Sequence, residues 1–211
     1  MSKKIISSVL FDFDGVLIDS LPAMEIAWNS VRSKYKIKNG FDQYKKFIGL
    51  PFQKILEELK IDSSKKDLVK KYYSKITSEN IDLIKLNPYA KNLLLWLSAH
   101  SISTGIVTSK DKLRTYELIE YFQLNIQTIV TPESTNFGKP SSEPILHAAK
   151  ELNTNVNEIL FVGDMISDMK TAINSKCQYL HYLNGYQKLK NQEYGGQITS
   201  LLEIIEYINN L

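Results

Sequence analysis

The sequence predicts an α/β fold: a Rossmann-like parallel sheet with helices on both faces, plus an inserted all-helical domain. Short apolar runs rich in β-branched residues alternate with helical patterns, which is typical of parallel strands joined by crossover helices. Residues 17–87 break this alternation, because they carry several helical patterns and no convincing strand. The 211 residues suffice for one large domain or for a domain with a small insert.

Five strands are expected in the sheet, each a short apolar run. They comprise residues 5–11, 103–108, 126–130, 159–163 and 178–183. Apolar residues at helical spacing predict helices over 112–122, 143–152 and 168–175. A last helix is expected from the apolar residues Ile198, Leu201, Leu202, Ile205 and Ile208.

Three helices are predicted within the insert. The first starts near Ser20 and Pro22, and its apolar face is formed by Leu21, Met24, Trp28, Val31 and Tyr35. The second begins at Pro51 and carries Phe52, Ile55, Leu56 and Leu59. The third carries Leu68, Val69, Tyr72, Tyr73 and Ile76. We expect the aromatic residues to form the core of a helical cap over 17–87, with a catalytic core domain of 1–16 and 88–211.

Composition and charge exclude several classes of protein. Lys and Arg number 26 against 23 Asp and Glu, a net charge of +3, and the lysines are spread out rather than gathered in the basic stripe of a nucleic-acid binder. The single cysteine, Cys177, excludes an internal disulfide, suits a reducing compartment and is expected to be a packed core thiol. No apolar run is long enough to span a membrane. We therefore expect a cytoplasmic protein that binds neither nucleic acid nor membrane.

The sharpest local motif is Asp12-Phe13-Asp14-Gly15. Side chains two residues apart on a strand point to the same side, so the two carboxylates are expected to project together. Neighbouring carboxylates repel each other unless a cation or a proton intervenes, and an oxygen-rich pair suits Mg²⁺. Aspartate and glycine are also common in turns, so this motif alone leaves a metal site and an Asp-rich turn equally open.

Polar side chains also follow the later strands. Thr108 and Ser109 end the second strand, Lys139 follows the third strand and its loop, and Asp164 and Asp168 follow the fourth. Each residue has a simpler explanation by itself, as a helix cap, a surface lysine or a loop acid. Ligands of open parallel sheets bind beyond the carboxyl ends of the strands. The ordered set therefore predicts one functional site at that edge.

These motifs resemble those of the haloacid dehalogenase superfamily of phosphohydrolases, in the subgroup with a helical cap that includes phosphoglycolate-phosphatase-like and β-phosphoglucomutase-like members. The matching positions are 12–20, Thr108, Lys139, Gly163-Asp164 and Asp168. The resemblance covers nearly the whole chain. It implies a haloacid dehalogenase-like fold and a Mg²⁺-dependent phosphatase acting on a small metabolite such as phosphoglycolate, a sugar phosphate or a polyol phosphate.

The resemblance also implies catalytic roles for the two acids of the first motif. Asp12 is the expected nucleophile, which forms an aspartyl-phosphate intermediate. Asp14 is expected to protonate the leaving oxygen and then to accept a proton from the attacking water. Dehalogenases and phosphonate-cleaving relatives lack an acid at the second position, so Asp14 favours phosphate-ester hydrolysis or phosphoryl transfer.

The other matched positions imply binding roles. The residues expected to bind the phosphoryl group are Thr108, Ser109 and Lys139, of which Thr108 and Lys139 also count as catalytic. The residues expected to hold Mg²⁺ are Asp12, Asp14 through its main-chain carbonyl, and Asp164. Asp168 is expected to orient Lys139 or a metal-bound water.

The sequence also departs from the family pattern. Ser175-Lys176 stands where Ala-Gly is usual, so a left-handed turn at Lys176 costs free energy that glycine would avoid. Ser142 stands where a second proline often follows. Gly49-Leu50-Pro51 looks like the specificity loop of phosphoglycolate-phosphatase-like members. Since no catalytic position has changed, these departures bear on the substrate rather than on the activity.

Two alternatives remain beside the phosphatase. A phosphomutase of the β-phosphoglucomutase type needs a cap that binds a distal phosphate, for which Lys45, Lys46 and Lys54 are candidates, although solvated surface lysines are the simpler interpretation. A non-catalytic binding domain of the same fold is less expected, because no catalytic residue is missing.

The three histidines are expected to be structural, because His100, His147 and His181 lack metal-ligand spacing. The oligomeric state is left open as monomer or homodimer.

Overall fold

The structure, a computed structural model, describes residues 5–188 and 194–211. The chain divides into two compact units. The larger unit contains the described residues up to Ile18 and those from Leu86 to the C terminus, and the smaller unit contains Asp19–Lys85. Within the described ranges, no helix has the length and apolar character needed to cross a membrane.

Eight strands and nine α-helices make up the described part of the chain. The strands are β1 (Ser8–Phe11), β2 (Ile18–Asp19), β3 (Lys85–Leu86), β4 (Ser103–Val107), β5 (Thr128–Val130), β6 (Ile159–Gly163), β7 (Gln178–Tyr182) and β8 (Gly196–Ile198). The helices are α1 (Leu21–Tyr35), α2 (Phe41–Lys45), α3 (Phe52–Glu58), α4 (Ser63–Glu79), α5 (Ala90–Ala99), α6 (Lys112–Phe122), α7 (Glu143–Glu151), α8 (Ile166–Ser175) and α9 (Glu203–Asn209).

A six-stranded parallel sheet in the order β5-β4-β1-β6-β7-β8 forms the centre of the larger unit. Every residue of β1 and of β6 is buried. Since successive side chains of a strand point to opposite faces, both faces of the sheet are covered at these strands. The predicted parallel α/β fold is therefore confirmed.

The order of the strands determines where a site can form. β1 lies between β4 and β6, and Phe11 is paired in register with Ile106 on one side and with Val162 on the other. The chain runs from β1 to β4 and β5 in one direction and then crosses to β6 on the other side. Binding crevices of open α/β sheets form at such a reversal of strand order, outside the carboxyl ends.

One apolar core joins the sheet to α7 and α8. Ile145 and Ala148 of α7 and Ala172 of α8 are buried in the same cluster as Phe161 and Tyr179 of the sheet. Cys177 belongs to this cluster, and burial raises the pKa of its thiol to about 11. The prediction of a packed core thiol is confirmed.

Several sequence-based element predictions need correction. The last strand β8 was not predicted, and Ile198, which was assigned to the final helix, ends this strand instead. The final helix begins only at Glu203. Helix α5 was not predicted either. The expectation of no strand in 17–87 is wrong because β2 and β3 form a two-stranded sheet, although each has only two residues and leaves no periodic pattern.

The smaller unit has an aromatic core, as predicted. Trp28 of α1 packs on Tyr44 of α2 with ring centroids 4.9 Å apart, and Phe52 of α3 lies 4.4 Å from Tyr73 of α4 by the same measure. The hydroxyls of Tyr44 and Tyr73 are hydrogen-bonded over 3.0 Å. Leu68, which was predicted to lie on the apolar face of α4, is 56% exposed, because the buried side of this helix is formed by Val69, Tyr73 and Thr77.

Candidate active site

Three neighbouring strands end at the predicted site residues. Asp12 follows β1, Thr108 follows β4 and Asp164 follows β6. The N–H of Asp12 donates to the carbonyl of Val162 over 2.8 Å, and the N–H of Thr108 donates to that of Val130 over 3.0 Å. These bonds continue the sheet by one residue, so the side chains of Asp12 and Thr108 are buried at its carboxyl edge.

Lys139 lies between two of the predicted acids. Its Nζ is 2.9 Å from Oδ2 of Asp12 and 2.7 Å from Oδ1 of Asp168, and all three side chains are almost fully buried. Burial by itself lowers the pKa of Lys139, but the two carboxylates raise it above its ordinary value. The two carboxylates therefore favour the charged form of Lys139 inside the site. The peptide bond between Lys139 and Pro140 is cis.

Asp168 is held by the main chain at the start of α8. Its Oδ2 accepts hydrogen bonds from the N–H of Asp164 over 3.2 Å and from the N–H of Met165 over 2.9 Å. Its other oxygen, Oδ1, forms the ion pair with Lys139. A carboxylate in the first turn of a helix is also favoured by the helix dipole.

The remaining clustered acid, Asp164, is packed against two glycines. A Cβ on Gly15 would lie 2.3 Å from Oδ2 of Asp164, and one on Gly185 would lie 2.2 Å from its Cβ. Gly15 also has a φ of +86°, a conformation that other residues seldom adopt. Both positions therefore require glycine for Asp164 to keep its place.

The two acids of the first motif follow the end of β1. β1 ends at Phe11 and Asp12 continues its pairing with β6, but Asp14 lies in the turn beyond, so strand alternation does not determine the relative direction of the two side chains. Asp12 is paired with Lys139, whereas Oδ2 of Asp14 is 3.1 Å from Nζ of Lys110. The two carboxylates therefore have different cationic partners.

The two predicted hydroxyl residues follow β4. Oγ1 of Thr108 accepts a hydrogen bond from the N–H of Lys110 over 3.1 Å, and Thr108 is buried. Ser109 is half-buried in the bend that follows. The bond between Thr108 and Lys110 shapes the turn that carries both Ser109 and the lysine paired with Asp14.

Asp12, Asp164 and Asp168 form a buried acidic cluster. One carboxylate oxygen of each lies within 4.8 Å of the others, and the Asp14 carboxylate is not part of this group. Burial raises the pKa of Asp12 to about 7 even though Lys139 lowers it. Burial, together with Asp12 and Asp168, raises the pKa of Asp164 well above its usual range. Three buried carboxyls beside the single ammonium of Lys139 therefore favour the binding of a proton or a cation.

The cluster fits a divalent cation. Within the described part of the chain, Oδ1 of Asp164 is buried and has no hydrogen-bond partner. A buried polar atom without a partner costs free energy, and a cation bound there removes that cost. Carboxylate oxygens are the ligands of hard cations such as Mg²⁺. Asp12, Asp164 and Asp168 each offer a carboxylate oxygen to such a cation.

Some residues of the site were missed by sequence analysis. Lys110 directly follows the predicted hydroxyl pair, but its contact with Asp14 depends on the turn after β4. Tyr186 contributes a main-chain N–H to Oδ2 of Asp164 over 2.6 Å, which no side-chain motif reveals. Asn87 donates from its side chain to the carbonyls of Gly15 and Val16, beside the first motif.

The chain is similar to several known proteins over nearly its whole length. The chain is 26% identical to a phosphoglycolate phosphatase of Nitrosococcus oceani over 93% of both proteins. It is also 26% identical to a glyceraldehyde 3-phosphate phosphatase of Methanocaldococcus jannaschii over 98% of both. Its fold is similar to that of β-phosphoglucomutase from Clostridium difficile, with a TM-score of 0.80 at 16% identity over 98% of each chain.

The family assignment includes nearly all of the site. The family model described as haloacid dehalogenase-like hydrolase matches residues 9–181, a range that begins within β1 and ends within β7. Asp12, Thr108, Lys139, Asp164 and Asp168 all lie inside this match. The chain therefore belongs to the haloacid dehalogenase-like hydrolase family.

Proposed function

We propose that this enzyme is a Mg²⁺-dependent phosphatase that hydrolyses a small phosphorylated metabolite through an aspartyl-phosphate. Phosphoglycolate, a sugar phosphate and a polyol phosphate are the substrates we consider. The observation that carries the proposal is the position of Lys139, whose ammonium contacts Asp12 and Asp168 beside the unpartnered oxygen of Asp164. A buried acid next to a fixed cation and a candidate metal ligand suits attack on an anionic phosphate.

Asp12 is the nucleophile in this proposal. Its Oδ1 accepts a hydrogen bond from the N–H of Phe13 over 2.7 Å, and its Oδ2 contacts Lys139, so the orientation of the carboxylate is fixed. A carboxylate oxygen of Asp12 attacks phosphorus and forms a new O–P bond while the bond from phosphorus to the ester oxygen breaks. Water then attacks phosphorus and releases inorganic phosphate, which regenerates the Asp12 carboxylate.

Asp14 is the acid and base. In the first step its proton goes to the leaving ester oxygen, and in the second step it accepts a proton from the attacking water, so the cycle is balanced. The nucleophile must be ionised while the acid is protonated, which requires different surroundings for the two carboxyls. The two carboxyls differ in their surroundings: Asp12 is buried beside Lys139, whereas Asp14 is less buried and contacts Lys110.

The phosphoryl oxygens are assigned to groups at the ends of β4 and in the loop after β5. The hydroxyl of Thr108 and the main chain of Ser109 donate hydrogen bonds to them, and Lys139 neutralises charge between them and Asp12. We assign Mg²⁺ to Asp12, the main-chain carbonyl of Asp14 and Asp164. When bound, the cation offsets the repulsion between an anionic nucleophile and an anionic substrate. Asp168 orients Lys139, consistent with their 2.7 Å contact.

We assign the helical insert, predicted as 17–87, the role of a cap that admits small substrates and excludes a folded protein phosphate.

A phosphomutase remains the second candidate, and only the similarity of the fold to that of β-phosphoglucomutase favours it. Lys46 and Lys54 are exposed, and Lys45 lies 3.1 Å from Asp42, so all three fit solvated surface residues. The single cysteine supports a cytoplasmic location, and the active form is a monomer or a homodimer.

The test is a screen of phosphorylated metabolites with Mg²⁺, in which release of inorganic phosphate is measured and substrates are ranked by kcat/KM. We expect Asp12→Asn to reduce kcat by at least about a thousandfold, since the variant has no nucleophile. The exposed Asp67→Asn variant is the matched control and should keep full activity. Retained turnover in Asp12→Asn refutes the nucleophile, isomerised product without phosphate release indicates the mutase, and inactivity on all substrates indicates a binding domain.

A further inference from the structure

The loop after β7, residues 183–188, contacts both Asp164 and the first turn of α8. The N–H of Tyr186 donates to Oδ2 of Asp164 over 2.6 Å. The side chain of Gln187 accepts at Oε1 a hydrogen bond from the N–H of Ile166 over 2.8 Å. Ile166 begins α8, and its N–H has no partner within the helix. Two adjacent residues therefore attach the loop: Tyr186 binds the carboxylate of Asp164, and Gln187 binds the start of α8.

A buried histidine, His181, is hydrogen-bonded to the same loop. Nε2 of His181 lies 2.9 Å from the main-chain oxygen of Gln187. A carbonyl oxygen only accepts, so Nε2 carries a proton. Burial lowers the pKa of His181, which favours the neutral ring, and Nδ1 then accepts from the hydroxyl of Tyr179 over 2.9 Å. His181 thus holds the backbone of Gln187, and Tyr179 orients the ring of His181. Both residues belong to β7.

These contacts determine which oxygen of Asp164 is available. Oδ2 of Asp164 accepts from the N–H of Tyr186, and Gly185 packs closely against the same side chain, so both contacts restrict the carboxylate. Oδ1 is then the oxygen left buried without a hydrogen-bond partner among the described residues. Residues that orient a metal ligand in this way commonly change metal affinity when they are removed.

We propose that Gln187 and His181 are positioning residues for the divalent cation, because they hold the N–H of Tyr186 against Asp164 and leave Oδ1 of Asp164 free for the metal. The inference rests on the proposed function for the existence of the cation site. It goes further because it assigns control of metal affinity to the loop after β7. This loop carries no catalytic side chain. Gln187 acts through Ile166 and through its own main chain, and it does not touch the cation.

The same loop provides a matched control. Asn184 is exposed and donates from Nδ2 to the carbonyl of Thr199 over 2.7 Å, a contact with the segment after β8 rather than with α8. Asn184→Ala therefore removes the hydrogen bonds of this side chain with Thr199 and Tyr182 and leaves the contact between Tyr186 and Asp164 in place. Gln187→Glu is the conservative variant, because a carboxylate oxygen still accepts from the N–H of Ile166.

The experiment is calorimetric titration of metal-free protein with Mg²⁺, for the wild type and for Gln187→Ala, Gln187→Glu and Asn184→Ala. We expect Gln187→Ala to raise the Kd for Mg²⁺ about tenfold, as is typical when the support of a metal ligand is removed. Gln187→Glu should restore most of the affinity, and Asn184→Ala should match the wild type. Thermal melting in EDTA checks that each variant is folded, and kinetics should show a raised Mg²⁺ activation constant with an unchanged KM at saturating Mg²⁺.

Three outcomes overturn the inference or its basis separately. Wild-type affinity in Gln187→Ala overturns the role of the loop while leaving the cation site intact. An equal loss in Asn184→Ala shows a general effect of loop stability instead of positioning, which also overturns it. If the wild type and Asp164→Asn both fail to bind Mg²⁺, the metal assignment of the proposed function fails, and the inference fails with it.

Discussion

Asn87 donates from Nδ2 to the main-chain carbonyl of Val16 over 2.7 Å, although 71 residues separate them. The same nitrogen is 3.2 Å from the carbonyl of Gly15, and the N–H of Asn87 donates to the carbonyl of Leu17 over 2.9 Å. One side chain thus ties the segment after the insert to the turn that carries Asp14.

We expect Asn87→Ala to lower the free energy of unfolding by about 1–3 kcal/mol, because it leaves carbonyls of the buried residues Gly15 and Val16 without their donor. Urea unfolding measures this loss. Asn174→Ala is the control: its Nδ2 donates to the carbonyl of Pro140 over 2.8 Å at an exposed position, so its loss should be small. Equal effects of the two variants would contradict the expectation.

Lys139→Met should destabilise the protein strongly in the absence of metal. The variant leaves Asp12 and Asp168 buried without their cation, and removing one partner of a buried ion pair typically costs about 3–5 kcal/mol. Mg²⁺ should recover part of this loss, since it supplies positive charge to the same cluster. Lys150→Met, at an exposed position of α7, should change the free energy of unfolding very little. A stability near that of the wild type in Lys139→Met would show that the ion pairs contribute little.

The raised pKa of Asp12 predicts how stability depends on pH. The pKa is about 7 in the folded protein against a reference of 3.8, so the folded state binds this proton more tightly. The stabilisation is fully present below about pH 4 and is lost as the pH rises through 7. Urea unfolding in EDTA at pH 5 and pH 8 should show a larger loss for the wild type than for Asp12→Asn. Parallel losses in the two proteins would refute this origin, and Mg²⁺ should reduce the loss.

Lys176→Gly should stabilise the protein. Lys176 ends α8 in the left-handed conformation, with a φ of 64°, as the departure from the family pattern led us to expect. Replacing it by glycine should raise the free energy of unfolding by about 1 kcal/mol, which corresponds to about 2–4 °C in Tm at this chain length. Lys170→Gly, in the interior of the same helix, should have the opposite sign. A lower Tm for Lys176→Gly would contradict the strain argument.

Elements with a clear pattern were well predicted from sequence. The helix Lys112–Phe122 and the strand Ile159–Gly163 have the predicted bounds, because each combines a strong apolar pattern with a clear start or end. The helix Ala90–Ala99 was missed, since it follows Tyr89 in a left-handed conformation and has no capping side chain to indicate its start. The strand Gly196–Ile198 was missed because three residues are too short for a period to show.

The sequence by itself determined the family, the parallel α/β class and the order in which Asp12, Thr108, Lys139, Asp164 and Asp168 follow their strands. These features depend on residue type and spacing, which are local. Only the tertiary structure decided which group contacts which: Lys139 with Asp12 and Asp168, Lys110 with Asp14, and the N–H of Tyr186 with Asp164. The physical reason is that these contacts join separate loops, and a main-chain donor has no signature in residue type.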